Sequence, residues 1–434
     1  MPGPLTKRKK KRSRFKRIGF ISTRIAGTDG VSLEIEKWAA VLERNHYDCY
    51  YMAGLCDRPA EKSYIVEEAH FEHPEIQKIN EFSFGFHLRP REISELIQGI
   101  KDYLKQKIYE FVDGFGIDLI IPENALAIPM NIPLGLAITE FIAETGIPTI
   151  AHHHDFYWER NRFLVNSVMD YIDRSFPPFL PSIRHVVINS LASEQLSHRK
   201  GISNTLIPNV YDFASPPPPE NSHCQELRKI IGLKEDDLFI LQPTRVVPRK
   251  WIERAVEIVY LMKLDNPVLV ISHATGDEGD AYYHRVMEYA RNLGVKIVTI
   301  DHLIGPRRTT TITGEKIYTI GDVYQCADLV TYPSGYEGFG NAFLEAIYYK
   351  KPIVVNRYSI YVADIEPKGF DVIPIDGFVT QDTIDIIYDV LRNPERRRQM
   401  VEKNYQLALK YFSYEVLERK LLHLIRELEY FQGV

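Results

Sequence analysis

The segment Ser334-Gly-Tyr-Glu-Gly-Phe-Gly-Asn-Ala-Phe-Leu-Glu345 joins a short glycine loop to the start of an amphipathic helix. Two of its glycines, Gly338 and Gly340, allow positive φ angles and a close approach of the backbone to a bound molecule. The helix predicted from Asn341 to Tyr349 directs its first, unpaired amides into the space before this loop, where an anion is stabilised. The segment therefore predicts an anion-binding loop that opens a helix.

The two carboxylates of this segment, Glu337 and Glu345, are eight positions apart. A diphosphate would repel both, whereas an ionised carboxylate can accept two hydrogen bonds from one diol. We expect Glu337 to bind a transferred sugar and Glu345 to bind a ribose. The alternative is that Glu345 is a first-turn glutamate that offsets the helix dipole, and that Glu337 is a loop charge.

Short β-branched runs alternate with amphipathic helical stretches along most of the chain, which is typical of parallel α/β units. The alternation stops at the proline-rich stretch from Ser215 to Ser222 and then restarts. We predict two doubly wound Rossmann-like domains that face each other across a cleft, with ligands at the carboxyl ends of the strands. Among the predicted strands are Leu119–Pro122, Leu329–Tyr332 and Ile353–Asn356.

The predicted divisions are a disordered basic arm (1–14), an N-terminal acceptor-side domain (15–213), a proline-rich linker (214–222), a C-terminal nucleotide-sugar-binding domain (223–412) and a C-terminal helix (413–434). We expect the C-terminal helix to pack back on the N-terminal domain. Residues 57–91 fit neither a helical nor a strand period, and they are predicted to be a loop-rich insertion.

Composition narrows the class of protein. A length of 434 residues suits two domains, and a net charge of −5 excludes a globally basic nucleic-acid binder. Residues 7–17 nevertheless carry nine positive side chains, a run typical of a solvated arm or of weak contact with anionic lipid. The four cysteines lack C-x-x-C spacing, so neither a disulfide scaffold nor a zinc knuckle is indicated. No membrane-spanning stretch or signal peptide is recognisable, and we expect a cytoplasmic protein.

A basic pair, Arg245 and Lys250, lies at the end of the first predicted strand after the linker. Two fixed cations there can neutralise a departing diphosphate, where negative charge grows in the transition state. We expect replacement of either residue by alanine to lower turnover far more than stability. The alternative is that both are ordinary surface cations.

Two further segments follow predicted strands. The run His152-His-His-Asp155 ends the strand Pro148–His152, where a histidine can bond a sugar hydroxyl or stabilise a developing positive ring. A zinc site needs ligands on one face, and three consecutive residues diverge, so no metal is predicted. The turn Gly27-Thr-Asp-Gly30 is either a tight turn or a helix start that faces a phosphate or the acceptor. It lacks the G-x-G-x-x-G spacing of nicotinamide-binding proteins.

Together these segments resemble the GT-B glycosyltransferases of the GT4 family, retaining sugar-nucleotide enzymes that include sucrose, trehalose and phosphatidylinositol-mannoside synthases. The resemblance covers the chain from about Phe15 onward. The E-x7-E pair of the family is matched by Glu337 and Glu345. Its basic pair is matched by Arg245 and Lys250, at a spacing that favours Lys250 over Arg249.

Three other family features have counterparts here. The His-Asp pair is matched by His154-Asp155, the Pro-Asn turn by Pro208-Asn209, and the N-terminal glycine loop by Gly30, although a double glycine is absent. The catalytic residues implied by the resemblance are His154, Asp155, Arg245, Lys250 and Glu337. The donor-binding residues that it implies are Gly30, Arg245, Lys250, Glu337, Gly338, Phe339, Gly340, Asn341 and Glu345.

The resemblance implies a retaining hexosyltransferase that moves glucose or mannose from a UDP-, GDP- or ADP-sugar to a small soluble acceptor. Such acceptors include a sugar, a sugar phosphate or a glycerate-type osmolyte precursor; the stretch from Ser272 to Tyr283 resembles the sucrose and trehalose branch. No D-x-D motif is present, and no metal or other cofactor is expected. Three alternatives stay open: a GT4 transferase with a lipid or cell-envelope acceptor, a glycoside hydrolase that uses both glutamates, and a non-catalytic sugar-nucleotide-binding protein.

Overall fold

The computed structural model describes residues 15–431 with the exception of 28, 220–221, 235, 265 and 276–278. The basic arm predicted at residues 1–14 lies outside the described residues. The described chain divides into two compact units. Unit 1 comprises the residues up to Val187, the segment Gln195–Thr205 and the residues from Glu418 onward, and unit 2 comprises Ile188–Glu194 and Leu206–Leu417.

These units differ from the predicted domains: the predicted linker at 214–222 lies within unit 2, and so do residues 413–417 of the predicted C-terminal helix. Residues 188–194 and 206–213 also belong to unit 2. Side-chain hydrogen bonds explain the difference for residues 188–194. Asn189 Nδ2 donates to the Gly338 carbonyl at 2.8 Å, and the Ser190 amide donates to Asp364 Oδ2 at 2.7 Å. Bonds of this kind leave no periodic signal in the sequence.

Unit 1 is built on a largely parallel sheet with helices between its strands. The strands in this part of the chain are β1 (Arg17–Ile21), β2 (Arg24–Ile25), β3 (Asp48–Ala53), β4 (Leu55–Cys56), β5 (Ser63–Ile65), β6 (Leu119–Pro122), β7 (Thr149–His153), β8 (Ile183–Val187) and β9 (Asn204–Leu206). The helices are α1 (Gly30–Arg44), α2 (Pro74–Ser83), α3 (Arg91–Phe115), α4 (Ile132–Thr145), α5 (Asn161–Leu164), α6 (Met169–Ser175) and α7 (Ser190–Lys200). Seven of the described strands form the sheet in the order β5-β3-β1-β6-β7-β8-β9.

Helix α3 shows how the apolar pattern produces this packing. Ile97, Leu104 and Ile108 recur at helical spacing and are fully buried. Burial of each such side chain contributes about 1.5–3 kcal/mol relative to exposure. The helix ends at Gly116, whose φ of 61° is the left-handed conformation that glycine adopts without a Cβ clash.

The prediction of a loop-rich insertion at residues 57–91 is wrong in part. This segment contains β5, which pairs in parallel with β3, and helix α2, which begins with Pro74 in its first turn. Strand β5 has only three residues, none of them buried, so its sequence lacks the apolar run of a central strand. Helix α2 buries Ile76 and Ile79, a stripe too short to be recognised as periodic.

Unit 2 has a second parallel sheet. Its strands are β10 (Leu238–Gln242), β11 (Pro267–Ile271), β12 (Lys296–Thr299), β13 (Thr309–Thr310), β14 (Lys316–Ile317), β15 (Leu329–Tyr332), β16 (Ile353–Asn356) and β17 (Ile373–Ile375). Its helices are α8 (Ser222–Ile230), α9 (Ile252–Met262), α10 (Ala281–Leu293), α11 (Ile320–Cys326), α12 (Asn341–Tyr348), α13 (Gln381–Arg392) and α14 (Pro394–Tyr411), and α15 (Tyr414–Phe431) passes from unit 2 into unit 1 at Glu418. The sheet order is β12-β11-β10-β15-β16-β17, with β13 and β14 as a separate antiparallel pair.

The predicted strands Leu119–Pro122, Leu329–Tyr332 and Ile353–Asn356 are confirmed as β6, β15 and β16. Every residue of these strands is buried, as expected for central strands covered on both faces. Among the described residues, no helix combines the length and the apolar character that crossing a bilayer requires.

Candidate active site

The sheet of unit 2 changes winding direction between β10 and β15, which are neighbours in space. The chain winds outward through β11 and β12 on one side, and through β16 and β17 on the other. In open α/β sheets, ligands bind beyond the carboxyl ends of the strands at such a switch point. The predicted basic segment follows β10, and the predicted glycine loop follows β15. The fold therefore brings the two segments to one edge of the sheet.

A buried ion pair joins these segments. Lys250 Nζ contacts Glu337 Oε1, and Arg249 Nη1 lies 3.2 Å from Glu337 Oε2. Burial by itself would raise the pKa of Glu337, but the charges of Lys250 and Arg249 hold that pKa below its ordinary value. Burial lowers the pKa of Lys250, and the Glu337 carboxylate opposes that shift. Glu337 is therefore an ionised carboxylate held by two cations, and it can still accept hydrogen bonds from hydroxyl groups.

The spacing in the sequence favoured Lys250 over Arg249, but in the structure both residues contact the Glu337 carboxylate. The 3₁₀ turn Pro248–Lys250 brings the two adjacent cations to the two oxygens of one carboxylate. The Arg249 carbonyl also accepts a 2.9 Å hydrogen bond from the Gly335 amide, which ties the basic turn to the glycine loop. The available sequence signal was the cluster of three cations within six residues.

The glycine loop is fixed by three side chains from two other segments. Asn356 Nδ2 donates to the Ser334 carbonyl at 2.9 Å, and Asn189 Nδ2 donates to the Gly338 carbonyl at 2.8 Å. The Tyr358 hydroxyl donates to the Phe339 carbonyl at 2.6 Å. Because these carbonyls are engaged from outside the loop, the backbone conformation before helix α12 is set in advance of any ligand.

Gly340 immediately precedes helix α12. Its φ of 129° is a conformation that other residues rarely adopt. A Cβ atom at this position would lie 2.7 Å from the Tyr358 hydroxyl. Among the described residues no side chain caps the helix start, and the Asn341 side-chain oxygen Oδ1 accepts a 2.8 Å hydrogen bond from Asn209 Nδ2. The first amides of α12 are therefore available to an anion. The predicted Pro-Asn turn contributes through Asn209, which orients the side chain of Asn341.

Glu345 lies in the second turn of α12, because the helix begins at Asn341 and carries no acidic residue in its first turn. The alternative of a first-turn glutamate is therefore wrong. Its Oε2 atom accepts a 2.9 Å hydrogen bond from the hydroxyl of the fully buried Tyr324. Burial, followed by the nearby Glu345 charge, raises the pKa of Tyr324, so the tyrosine stays a neutral donor.

Arg245, the other member of the predicted basic pair, is exposed in the loop after β10.

A histidine that the prediction did not assign to the site, His273, follows the neighbouring strand β11. Burial, together with the charges of Lys250 and Arg245, lowers the pKa of His273 to about 4. The imidazole is therefore neutral at physiological pH and adds no charge to the cationic cluster. Its position directly after a strand was the available sequence signal.

Gly30 begins helix α1 of unit 1, after the first strand, as predicted. The residue before it, Asp29, caps this helix: its Oδ1 atom accepts from the Val31 amide at 3.1 Å and from the Ser32 amide at 3.3 Å. A carboxylate therefore already occupies the place that a phosphate would take at this helix start. The contrast with the uncapped start of α12 favours unit 2 for an anionic ligand.

The three consecutive histidines lie at the carboxyl end of strand β7, where His152 and His153 are its last residues, next to the end of β6. His152 Nδ1 lies 2.9 Å from Glu123 Oε2, and His154 Nε2 lies 3.2 Å from the same oxygen. Positions two apart share one face of a strand, which explains why these two imidazoles converge. His153 faces the opposite side, where its Nε2 atom is 2.9 Å from His185 Nδ1. Glu123, which the sequence analysis did not name, is fully buried.

We expected three consecutive histidines to point in different directions, but His152 and His154 both contact Glu123. One ligand atom from each of Glu123, His152 and His154 lies within 4.8 Å of the others, close enough to surround a metal ion. A metal-bound histidine normally donates its second ring nitrogen to a carboxylate, carbonyl or water. His152 Nε2 is buried and has no hydrogen-bond partner among the described residues. The cluster also fits a carboxylate that accepts two imidazole N–H groups.

Asp155 is oriented by polar neighbours at the same strand end. Its Oδ1 atom accepts a 3.0 Å hydrogen bond from Asn124 Nδ2, and Oδ2 pairs with the Arg160 guanidinium. The Asn124 side-chain oxygen in turn accepts from the His154 amide at 3.1 Å. Asn124 has a positive φ of 57°, the left-handed conformation that asparagine tolerates. The predicted His154-Asp155 pair is therefore held by one asparagine.

The fold resembles those of solved glycosyltransferase structures. A sucrose-phosphate synthase from Thermosynechococcus elongatus superposes with a TM-score of 0.65 and 15% identity, covering 96% of this chain and 100% of that chain. HepE from Anabaena, in complex with UDP-glucose, superposes with a TM-score of 0.62 and 14% identity, covering 95% of this chain and 99% of that chain. The predicted GT-B fold is confirmed.

Sequence similarity gives the family. Residues 224–407 match the family described as Glycosyl transferases group 1. A mannosylglucosylglycerate synthase from Thermotoga maritima is 30% identical over 450 residues, which cover 93% of this chain and 98% of that protein. The chain belongs to the group 1 glycosyl transferases and is a glycosyltransferase. The predicted resemblance to the GT4 family is confirmed.

Proposed function

We propose that this chain is a retaining glycosyltransferase that moves a hexose from a nucleotide diphosphate sugar to a small glycerate-type acceptor. The observation that carries the proposal is the Lys250–Glu337 ion pair, located where β10 and β15 diverge and beside the uncapped start of α12. A carboxylate, fixed cations and open amides at one strand edge suit a ligand with a hydroxyl-rich part and an anionic part.

The charges support a diphosphate as the anionic part. Arg249 and Lys250 pair with the Glu337 carboxylate, and the charge of Arg245 acts on Lys250, so three cations surround the ion pair. The open amides of α12 add a further partial positive charge of about half an elementary charge. Because these groups are fixed before reaction, they stabilise the negative charge that grows on the leaving diphosphate. We propose that this stabilisation operates without a divalent metal.

The transfer then depends mainly on positioning. Glu337 would accept hydrogen bonds from sugar hydroxyls, and Glu345 would accept them from the ribose, as expected from the sequence. The bond between the sugar and the diphosphate breaks, a bond forms to the acceptor oxygen on the same face, and a departing phosphate oxygen takes the acceptor proton. No protein nucleophile takes part, so Lys250 and Arg245 act by electrostatics and the glutamates by orientation.

The acceptor and the sugar are proposed from the named relative. The Thermotoga maritima protein is a mannosylglucosylglycerate synthase, which supports mannose as the hexose and a glucosylglycerate as the acceptor. The UDP-glucose complex of HepE supports a nucleotide diphosphate sugar as the donor. We assign neither guanine nor uracil as the base.

A direct assay tests the proposal. Purified protein is incubated with GDP-mannose, UDP-glucose or ADP-glucose in turn, together with glucosylglycerate, glycerate or glucose. We expect one donor to give a new glycoside whose anomeric configuration, read by NMR, equals that of the donor sugar. Inversion would refute the retaining mechanism, and donor binding without transfer to any of the acceptors would refute the proposed acceptor class.

The metal-free mechanism has its own test. Turnover is measured with excess EDTA, and then with added Mg²⁺ or Mn²⁺, on protein whose metal content is determined by mass spectrometry. We expect turnover to change less than twofold, because protein cations neutralise the diphosphate. Loss of turnover with EDTA and its recovery with Mg²⁺ would contradict this part of the proposal.

A further inference from the structure

Glu123 is a carboxylate buried without a lysine or arginine partner among the described residues. It lies directly after β6, at the point where the sheet of unit 1 changes winding direction between β1 and β6. Its side chain is fully inaccessible, and the titratable side chains within bonding distance of it among the described residues are imidazoles. A buried carboxylate is strongly disfavoured unless hydrogen bonds or an opposite charge compensate it. The two histidines that contact Glu123 therefore compensate its buried carboxylate by hydrogen bonds.

The two imidazoles are held differently. His152 is 1% exposed and stacks on Trp38 of helix α1, with ring centroids 4.2 Å apart. His154 is 10% exposed, and its Nδ1 atom makes no hydrogen bond to the described residues. His152 is thus enclosed, whereas His154 keeps one ring nitrogen available to a substrate.

The charges around His154 favour its protonated form. Glu123 accepts from its Nε2 atom, and Asp155 is the next residue. Glu34, which pairs with Lys37, contributes a further negative charge from helix α1, and the neighbouring imidazoles are those of His152 and His153. Burial by itself would lower the pKa of His154, but Glu123 raises it above its ordinary value. Burial instead lowers the pKa of His152, so His154 is the imidazole of the pair whose protonated form is favoured.

We propose that Glu123 is a positioning residue that fixes His154 with Nε2–H on its carboxylate and Nδ1–H directed to a substrate oxygen. This inference rests on the proposed function and on the expectation from the sequence that a histidine at this strand end bonds a sugar hydroxyl. His152 is the second donor to the same carboxylate oxygen and is itself held by its stacking on Trp38. The device resembles the orientation of a histidine by a buried acid in hydrolases, except that the imidazole acts here as a donor throughout.

The test uses three variants of the full chain. Glu123→Gln keeps the size and one acceptor oxygen but removes the charge. His154→Gln removes the proposed donor. Glu140→Gln is the matched control, because Glu140 is a little-exposed carboxylate that is paired with lysines of α3 elsewhere in unit 1. Turnover and KM are measured from pH 5 to pH 9, and folding is followed by circular dichroism.

We expect Glu123→Gln to lower kcat by about 10²-fold with KM for the donor nearly unchanged, because orientation matters most in the transition state. His154 is cationic below its pKa, so activity should fall as the pH rises through that value. Without Glu123 this alkaline limb should move to lower pH. Glu140→Gln should leave both kcat and the limb unchanged.

An NMR measurement keeps the test independent of activity. In wild-type protein labelled with ¹⁵N-histidine, and assigned with His154→Gln, we expect both ring nitrogens of His154 to be protonated near neutral pH. A neutral His154, or a Glu123→Gln protein with wild-type turnover and pH profile, would overturn the inference. Stoichiometric bound metal that is lost in Glu123→Gln would also overturn it. If His154→Gln keeps full turnover while the NMR result holds, the proposed role of His154 fails and the positioning by Glu123 stands.

Discussion

Replacement of Lys250 by methionine is the perturbation that best separates stability from catalysis at the unit 2 site. Methionine approximates the length of the lysine stem and removes its charge. Lys250 and Glu337 are 8% and 7% exposed, so the substitution leaves a buried carboxylate with only Arg249 as a charged partner. Loss of one partner from a buried pair costs about 3–5 kcal/mol. Because Arg249 remains 3.2 Å away, we expect the lower end, about 3 kcal/mol.

The double variant Lys250→Met/Glu337→Gln completes a thermodynamic cycle. It removes both charges, so we expect the free energy of unfolding to return to within about 1 kcal/mol of the wild type. Turnover should not return, because both the cation and the carboxylate are needed in the transition state. We expect kcat to fall by about 10²-fold to 10³-fold in Lys250→Met and to stay at least as low in the double variant.

The assay pairs urea unfolding, followed by circular dichroism, with donor-dependent turnover under the same buffer conditions. Lys101→Met is the matched control, since Lys101 has a 9% exposed side chain and pairs with Glu140 in unit 1. It should lose stability and keep kcat per folded molecule. The reasoning is refuted if the double variant regains wild-type turnover, or if Lys250→Met retains both its stability and its turnover.

Three other substitutions test separate features. Gly340→Ala should destabilise unit 2 by about 1–3 kcal/mol and weaken donor binding in calorimetry, because its Cβ would lie 2.7 Å from the Tyr358 hydroxyl; unchanged donor affinity would contradict this. Burial raises the pKa of Glu159 from its ordinary value of 4.5 to about 7, so its contribution to stability is lost as the pH rises between these values. Glu159→Gln, which can still accept from the Phe156 amide, should therefore be more stable than the wild type at pH 8, by on the order of 1–3 kcal/mol, and equally stable near pH 4 in chemical unfolding. Arg245→Gln should lower kcat/KM at least about tenfold and change the free energy of unfolding by less than about 0.5 kcal/mol, since Arg245 is exposed; a larger loss of stability would place it in the packed structure.

The central strands could be predicted because each is a continuous apolar run between turn residues. Leu119–Pro122 and Leu329–Tyr332 are buried along their whole length, and their boundaries in the structure equal those predicted. Strand β5 could not be found in this way, because an edge strand of three half-exposed residues has no apolar run. The hydrogen bond from Asn189 to the Gly338 carbonyl, which ties its segment to unit 2, could not be predicted either, because the two residues are far apart in the sequence.

The site could be predicted only where its residues are close in sequence or follow a recognised spacing. Lys250 and Glu337 were found from spacing, but their direct contact depends on β10 and β15 being neighbours, which linear sequence does not contain. Glu123 was missed for the same reason, because β6 and β7 bring it to His154 across the sheet. From the sequence we expected replacement of Lys250 to lower turnover far more than stability. Because Lys250 is buried and paired with Glu337, its replacement should lower both.

The most direct test is a crystal structure of the protein with an intact nucleotide diphosphate sugar, grown with EDTA. We expect the diphosphate at the start of α12, within hydrogen-bonding distance of its first amides and of the Lys250 or Arg245 side chain, with sugar hydroxyls on Glu337. A diphosphate bound away from α12, or one that binds only when a divalent cation bridges it, would contradict the proposed mechanism.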